Sequence, residues 1–163
     1  STVIAVEPAH ANLLAMRRNL AAEIADERVV IIEEGVYDRE GVLSFSPHDS
    51  WSGMFHEKDD PYATANDEQL PITTIDLIVE RLRLTRLDFI KMDIEGSEPY
   101  ALAGARETLK RFKPRLAVGT YHRPGDLEAI PRIVLEANPS YQVVASRCRV
   151  KDGTVTPHLL YFY

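Results

Sequence analysis

Cysteine is almost missing: one residue, Cys148, in a chain of 163. A lone cysteine forms neither an internal disulfide nor a cysteine-based zinc site. The small stapled classes are thereby excluded, and the composition accords with a reducing, cytoplasmic setting. No apolar run approaches the ~20 residues that a bilayer-spanning helix needs, so no membrane partner is expected. The 8 glycines and 10 prolines are scattered without period, which excludes collagen-like and low-complexity chains. Positive charge is in deficit, with 19 Lys+Arg against 25 Asp+Glu and a net charge of -6. Without a basic run no nucleic-acid partner is expected, and Arg81, Arg83 and Arg86 read as a solvated helix face. There is no Gly-x-Gly-x-x-Gly, no P-loop and no Gly-x-Ser-x-Gly elbow. Dinucleotide hydride transfer, P-loop phosphoryl transfer and α/β-hydrolase chemistry therefore lack their usual parts. No signal segment opens the chain. Ser1 to Val6 reads instead as a strand already under way, so the natural N-terminus is expected to lie upstream.

What is present is an ordinary globular composition, 45% hydrophobic and 27% charged. At about 150 residues per domain, residues 1–163 make a single domain. Apolar runs alternate with helical spacing. Val3–Val6 and Val29–Ile32 read as strands around a helix over 9–25, whose stripe is Leu13, Met16, Leu20 and Ile24. Val42–Phe45 is a short strand. Residues 46–71, rich in proline and acids but carrying Trp51, Phe55 and Tyr62, read as a long loop and a candidate lid. A helix capped by Asp76 runs to about Leu84, and a strand over 87–92 ends at Asp93. A helix from Ser97 or Glu98 reaches Phe112, followed by a strand over 115–120. The next helix lies over 126–137, with Pro131 delaying its start. Strands at 142–145 and 159–163 close the chain, with Lys151-Asp152-Gly153 marking an antiparallel return. This alternation predicts an α/β fold with a mostly parallel sheet.

In such sheets ligands bind beyond the carboxyl ends of the strands, which makes the strand ends the candidate sites. Glu7 ends the first strand, where an acid either accepts both hydroxyls of a ribose or favours the following helix dipole. Asp93, Glu95 and Glu98 place three carboxylates in six residues just past a buried strand, with Gly96 permitting a tight turn. Three roles stand open for Asp93 and Glu95: holding a hard divalent cation, stabilising a cationic cofactor centre, or acting as general base. Glu98 reads as dipole compensation at the helix start. His122, past the strand over 115–120, is the histidine best placed as a base. His10, His48, His56 and His158 read as surface or loop residues. No pair of histidines has metal-ligand spacing, and no metal is expected.

These residues carry a family resemblance. Thr74-Ile75-Asp76-Leu77, then Leu87 through Lys91-Met92-Asp93-Ile94-Glu95-Gly96-Ser97-Glu98, and Ala101 to Ala105 resemble the FkbM-type S-adenosylmethionine-dependent methyltransferases. Pro114 to Val118, Tyr121-His122-Arg123-Pro124-Gly125-Asp126-Leu127 and Ile130-Pro131 are similar too, as is Val3-Ile4-Ala5-Val6-Glu7-Pro8. The resemblance implies a Rossmann-like class I methyltransferase sheet with an antiparallel hairpin at its C-terminal edge. It places the family's first strand and Gly-rich loop ahead of Ser1. It implies S-adenosylmethionine as cofactor, bound by Glu7 at the ribose, Gly35 and Val36 near the adenine, and Asp93 at the methionine part. It implies Glu95 and His122 on the acceptor side, with His122 as base and Asp93 or Glu95 orienting. The expected partner is a hydroxyl of a small molecule or sugar. The alternative is a non-catalytic module of the same fold that binds a nucleoside or a protein.

Overall fold

The computed structural model describes residues 1–47, 53–57, 60–61, 63–146, 148–151 and 154–163, with 149–151 and 154–156 described by their backbone alone. The first apolar run forms β1 (Val3–Val6). The expected helix over 9–25 is two helices, α1 (His10–Asn19) and α2 (Ala21–Ala25). The break falls at Leu20, whose φ of -112° and ψ of 21° leave the helical region. β2 (Val29–Ile32) returns parallel to β1, with Val3 opposite Val29 and Val6 opposite Ile32. The two strands are as apolar as buried central strands, yet they are mostly half-exposed.

A second sheet follows: β3 (Gly35–Val36), β4 (Gly41–Pro47), β5 (Gly53–His56) and β6 (Glu68–Thr73), in spatial order β3-β6-β4-β5. One of its strands, β5, lies inside the segment expected to be a loop, and β6 begins there. Phe45 faces Phe55 and Leu43 faces Leu70 across the ladder, and burial of these pairs outweighs the local loop signals. Pro71 sits where β6 runs past its short partner β3, which pairs only with Ile72 and Thr73. The missing N–H of Pro71 therefore leaves no β3 acceptor unpaired. The described residues between β5 and β6 are irregular. Trp51 and Tyr62, assigned to the lid, lie outside the described residues.

The C-terminal part holds the larger core. It comprises α3 (Ile75–Arg81), β7 (Phe89–Met92), α4 (Glu98–Ala103), α5 (Arg106–Phe112), β8 (Arg115–Gly119), α6 (Asp126–Ala137), β9 (Val143–Ala145), β10 (Cys148–Lys151), β11 (Thr154–Pro157) and β12 (Leu159–Phe162). Leu102, Leu109, Val118, Ile130, Val134 and Phe162 are fully buried between helices and sheet, each gaining roughly 2 kcal/mol of transfer free energy. Several local expectations are corrected here. Thr74, not Asp76, caps α3, its Oγ1 accepting from Leu77 N at 3.0 Å. Asp76 instead caps α5 from a distance, accepting from Glu107 N at 3.1 Å and Thr108 N at 2.8 Å. The expected helix to Phe112 breaks at Gly104, where a Cβ would stand 2.2 Å from the Tyr37 carbonyl oxygen. Pro131 does not delay α6; it lies inside the helix, which starts at Asp126 from a left-handed Gly125.

Three strand pairings (β1–β2, β3–β6 and β7–β8) are parallel and five are antiparallel. The α/β class holds, but the described strands form mixed sheets rather than one mostly parallel Rossmann-like sheet. The order β7-β8-β12-β9 places the antiparallel β9–β12 pair at one edge, as expected. Cys148–Lys151 and Thr154–Pro157 form their own hairpin; Asp152 and Gly153 lie outside the described residues. Among the described residues β1 pairs only with β2, and β7 only with β8. No described helix is long and apolar enough to cross a membrane.

Candidate active site

Strand β7 ends at buried Met92, and the chain then turns sharply through Asp93 to Ser97. Glu95 and Gly96 both take left-handed backbone, at φ 55° and 92°. For a non-glycine residue that costs roughly 1–2 kcal/mol. The turn is held by Glu98, whose fully buried carboxylate reaches back along the chain. Its Oε1 accepts from Ile94 N at 2.8 Å and its Oε2 from Gly96 N at 2.9 Å. Glu98 thus does more than offset a helix dipole: it folds the turn that presents Asp93 and Glu95 outward. Ser97 makes no side-chain cap. Gly96 is required twice over, by its φ and because a Cβ would stand 2.7 Å from Arg123 Nε.

Just past β8, Tyr121 and His122 come over this turn. The His122 side chain is 5% exposed. Its Nδ1 lies 2.9 Å from Glu98 Oε1, and its Nε2 lies 3.5 Å from both Asp93 Oδ1 and Glu95 Oε2. Burial alone would lower the His122 pKa. The hydrogen-bonding carboxylate of Glu98 and the charges of Glu98, Glu95 and Asp93 outweigh it, and the pKa is raised. Tyr121 packs on the His122 ring at 4.1 Å and donates its hydroxyl to Asp93 Oδ1 at 2.8 Å. Burial and that hydrogen bond push its phenol up to about 12, so it remains a donor. Arg123 ties the site to the second sheet, its Nη1 donating to Asp60 Oδ2 at 3.1 Å and its Nη2 to the Phe55 carbonyl at 3.4 Å.

Beside this cluster lies an open cleft. It brings together Glu7, Gly35, Val36, Asp93 and Glu95, all proposed from strand ends. His122 does not line it, but stands behind Asp93 and Glu95. Glu7 occupies a double role. Its Oε1 accepts from Ala9 N at 2.8 Å and its Oε2 from Asn12 Nδ2 at 3.2 Å, so it caps α1 while facing the cleft. A Cβ on Gly35 would stand 2.1 Å from the Phe55 ring; this glycine makes room for an aromatic wall shared with Phe45. Four carboxylates (Glu7, Glu34, Asp93, Glu95) and no Lys, Arg or His line the cleft among the described residues.

Residues 1–145 match the family described as the Methyltransferase FkbM domain. The chain belongs to the FkbM methyltransferase family. Among solved structures it is similar to that of methyltransferase FkbM from Methylobacillus flagellatus KT, determined at 2.20 Å resolution. The TM-score is 0.71 and the identity 27%, covering 99% of this chain and 36% of that one. This FkbM domain therefore spans well under half of that relative's length. No curated protein matches it.

Asp93, Glu98 and His122 of the FkbM domain each offer one donor atom within 4.8 Å of the others, a spacing that a divalent cation's ligands share. Glu98 has both oxygens engaged by backbone N–H groups and His122, so this set is already internally paired. Sequence reasoning gave no role to Tyr121, Arg123 or Asp60, and placed Phe55 only in the candidate lid, whereas it lies in β5. Tyr121 alone carried a signal, as the neighbour of His122 at a strand end. Of the four histidines read as surface or loop residues, His10 and His158 are exposed, and His48 lies outside the described residues. His56 is the exception: it is buried and bonded to Ser46 and Asp67.

Proposed function

We propose that this FkbM domain binds S-adenosylmethionine in the cleft between Glu7 and Asp93 and methylates a hydroxyl oxygen of a small molecule or sugar. The observation that carries the reading is the convergence of the ends of β1, β2 and β7 on one cleft. The cleft's residues suit the cofactor's nucleoside end. The Glu7 carboxylate has lone pairs left for ribose hydroxyls after its two bonds to the chain. Gly35, Val36, Phe45 and Phe55 offer an apolar wall for the adenine. The acidic lining favours a cationic ligand. No lining group is positive, so these residues would hold the nucleoside and sulfonium parts, not the methionine carboxylate. When bound, S-adenosylmethionine supplies an electrophilic methyl group.

The chain's own residues would then align and deprotonate the acceptor. Asp93 and Glu95 would hold the acceptor hydroxyl at the cleft floor. His122 would accept its proton at Nε2, and the two carboxylates would stabilise the imidazolium formed. The same acidic surroundings disfavour phosphorylated or carboxylated acceptors, which favours a neutral sugar or polyol. A cytoplasmic setting accords with the single, exposed Cys148.

Calorimetric titration with S-adenosylmethionine and S-adenosylhomocysteine tests the binding half. Both should saturate, and Glu7→Ala should weaken both by about tenfold, the equivalent of ~1.4 kcal/mol. Saturable binding that ignores Glu7→Ala would remove the ribose contact. Binding of neither compound, with the segment upstream of Ser1 restored as well, would sink the reading and leave the non-catalytic module of the same fold.

A further inference from the structure

We propose that Glu98 is the positioning residue for His122, accepting a hydrogen bond from Nδ1–H and thereby presenting Nε2 as the proton-accepting nitrogen behind Asp93 and Glu95. The inference rests on His122 serving as the base, and it gives a task to a carboxylate that the sequence alone assigns to helix electrostatics. Glu98 has no exposed surface. A buried carboxylate needs donors, and Glu98 has three neighbours able to supply them: Ile94 N, Gly96 N and His122 Nδ1. The first two are fixed by the turn, so the carboxylate's position is set before the histidine meets it.

The two ring nitrogens are not equivalent. Nδ1 is 2.9 Å from Glu98 Oε1, whereas Nε2 is 3.5 Å from its nearest carboxylate oxygens. Neither nitrogen makes an aligned hydrogen bond in the structure, but Nδ1 alone has an acceptor within hydrogen-bond length, and such contacts tighten when a site is filled. A neutral imidazole carries one proton, and the bond at one nitrogen decides which. With a carboxylate at Nδ1 the proton stays there, and Nε2 keeps its lone pair. The floor of the cluster is also fitted to this arrangement. A Cβ on Gly119 would stand 3.0 Å from Asp93 Oδ1, 3.3 Å from His122 Cε1 and 3.4 Å from Glu98 Oε1. The three groups therefore meet over a residue that has no side chain.

Every charged neighbour must enter the titration of His122. From the turn after β7 these are Asp93 and Glu95. From α4 it is Glu98, and from α6 it is Asp126, whose carboxylate accepts from Arg123 N at 2.8 Å. Tyr121 covers the ring, and Arg123 follows it in the chain. The acids outnumber the cation, which accords with the raised pKa.

The test is imidazole ¹⁵N NMR of the cofactor-free protein, with the His122 signals assigned through His122→Gln. Neutral His122 should be the Nδ1–H tautomer and should titrate above the ordinary histidine value. In Glu98→Gln the carboxylate charge beside Nδ1 is lost, and the midpoint should fall. An Nε2–H tautomer in the wild-type protein would overturn the proposal, and so would a folded Glu98→Gln protein with an unmoved midpoint. If Glu98→Gln does not fold, the wild-type tautomer decides. Because the readout needs neither cofactor nor acceptor, it stands or falls apart from the methyltransferase reading. Where methyl transfer is measurable, Glu98→Gln should lower kcat and shift its pH profile.

Discussion

Two buried histidines in this molecule each meet a carboxylate, and they are built for opposite ends. His56, 1% exposed, is closed on every side. Its Nε2 lies 2.8 Å from Ser46 Oγ and 2.9 Å from Asp67 Oδ2, and its Nδ1 lies 3.0 Å from the Glu57 carbonyl oxygen. Ser46 Oγ donates in turn to Asp67 Oδ1. The residue types would suit a nucleophilic triad, but Ser46 has no exposed surface and no substrate could reach it. His122 is equally enclosed, yet its Nε2 faces two partly exposed acids at a distance too long for hydrogen bonds. A satisfied histidine fastens strands together; one with a carboxylate close to a single nitrogen keeps the other for chemistry.

Exchanging the two side chains for alanine should separate these roles. His122→Ala should lower methyl transfer to the wild-type acceptor by about 10²- to 10⁴-fold, the usual worth of a positioned base. Its affinity for S-adenosylmethionine should stay within about twofold, since His122 does not line the cleft. Equal loss of turnover and cofactor affinity, read by kinetics beside calorimetry, would show that His122 is structural as His56 is. His56→Ala should do the reverse. It removes a buried ring and that ring's contacts with Ser46 and Asp67, which should cost about 2–4 kcal/mol in urea unfolding. Loss of turnover in folded His56→Ala protein, without that destabilisation, would mean that the second cluster takes part in the chemistry.

The contrast was only half visible in the sequence. The apolar runs at Val3–Val6, Val29–Ile32 and Leu87–Met92 locate strands, and the rule that ligands sit at strand ends points to Glu7, Gly35 and Asp93. Those residues do share a cleft. What escaped was whatever depends on register or on backbone contact. Ser46 and His56 meet because β4 and β5 pair antiparallel, with Ser46 opposite Met54, and no local pattern announced β5 among its prolines and acids. The inward turn of Glu98 depends on left-handed backbone at Glu95, a position where glycine is the usual signal. The break at Gly104 depends on the approach of Tyr37, far away in the chain. The expectation of a mostly parallel sheet failed for a related reason. Apolar strands are legible as strands, but their direction is set by connections whose loops and hairpins were read as one excursion.

The smallest effect is the sharpest comparison, because the two clusters should respond to pH with opposite sign. The hydrogen bond from Ser46, with help from Thr64 and the nearby His56, holds the Asp67 carboxyl below its ordinary value despite some desolvation. A depressed folded pKa means that the folded state binds its proton less readily than the unfolded chain. That contribution is present above the ordinary carboxyl value and is lost as pH falls through the folded one. His122 is raised, the Glu98, Glu95 and Asp93 carboxylates overcoming its burial. Its contribution is complete below the ordinary histidine value and is lost as pH rises through the folded one. Stability measured by urea unfolding should therefore soften at both ends of the pH range for different reasons. Asp67→Asn should flatten the acid side alone, and His122→Gln the alkaline side alone. If either substitution flattens both sides, the two clusters are coupled, and the second sheet bears on the site through the bonds of Arg123 to Asp60 and Phe55.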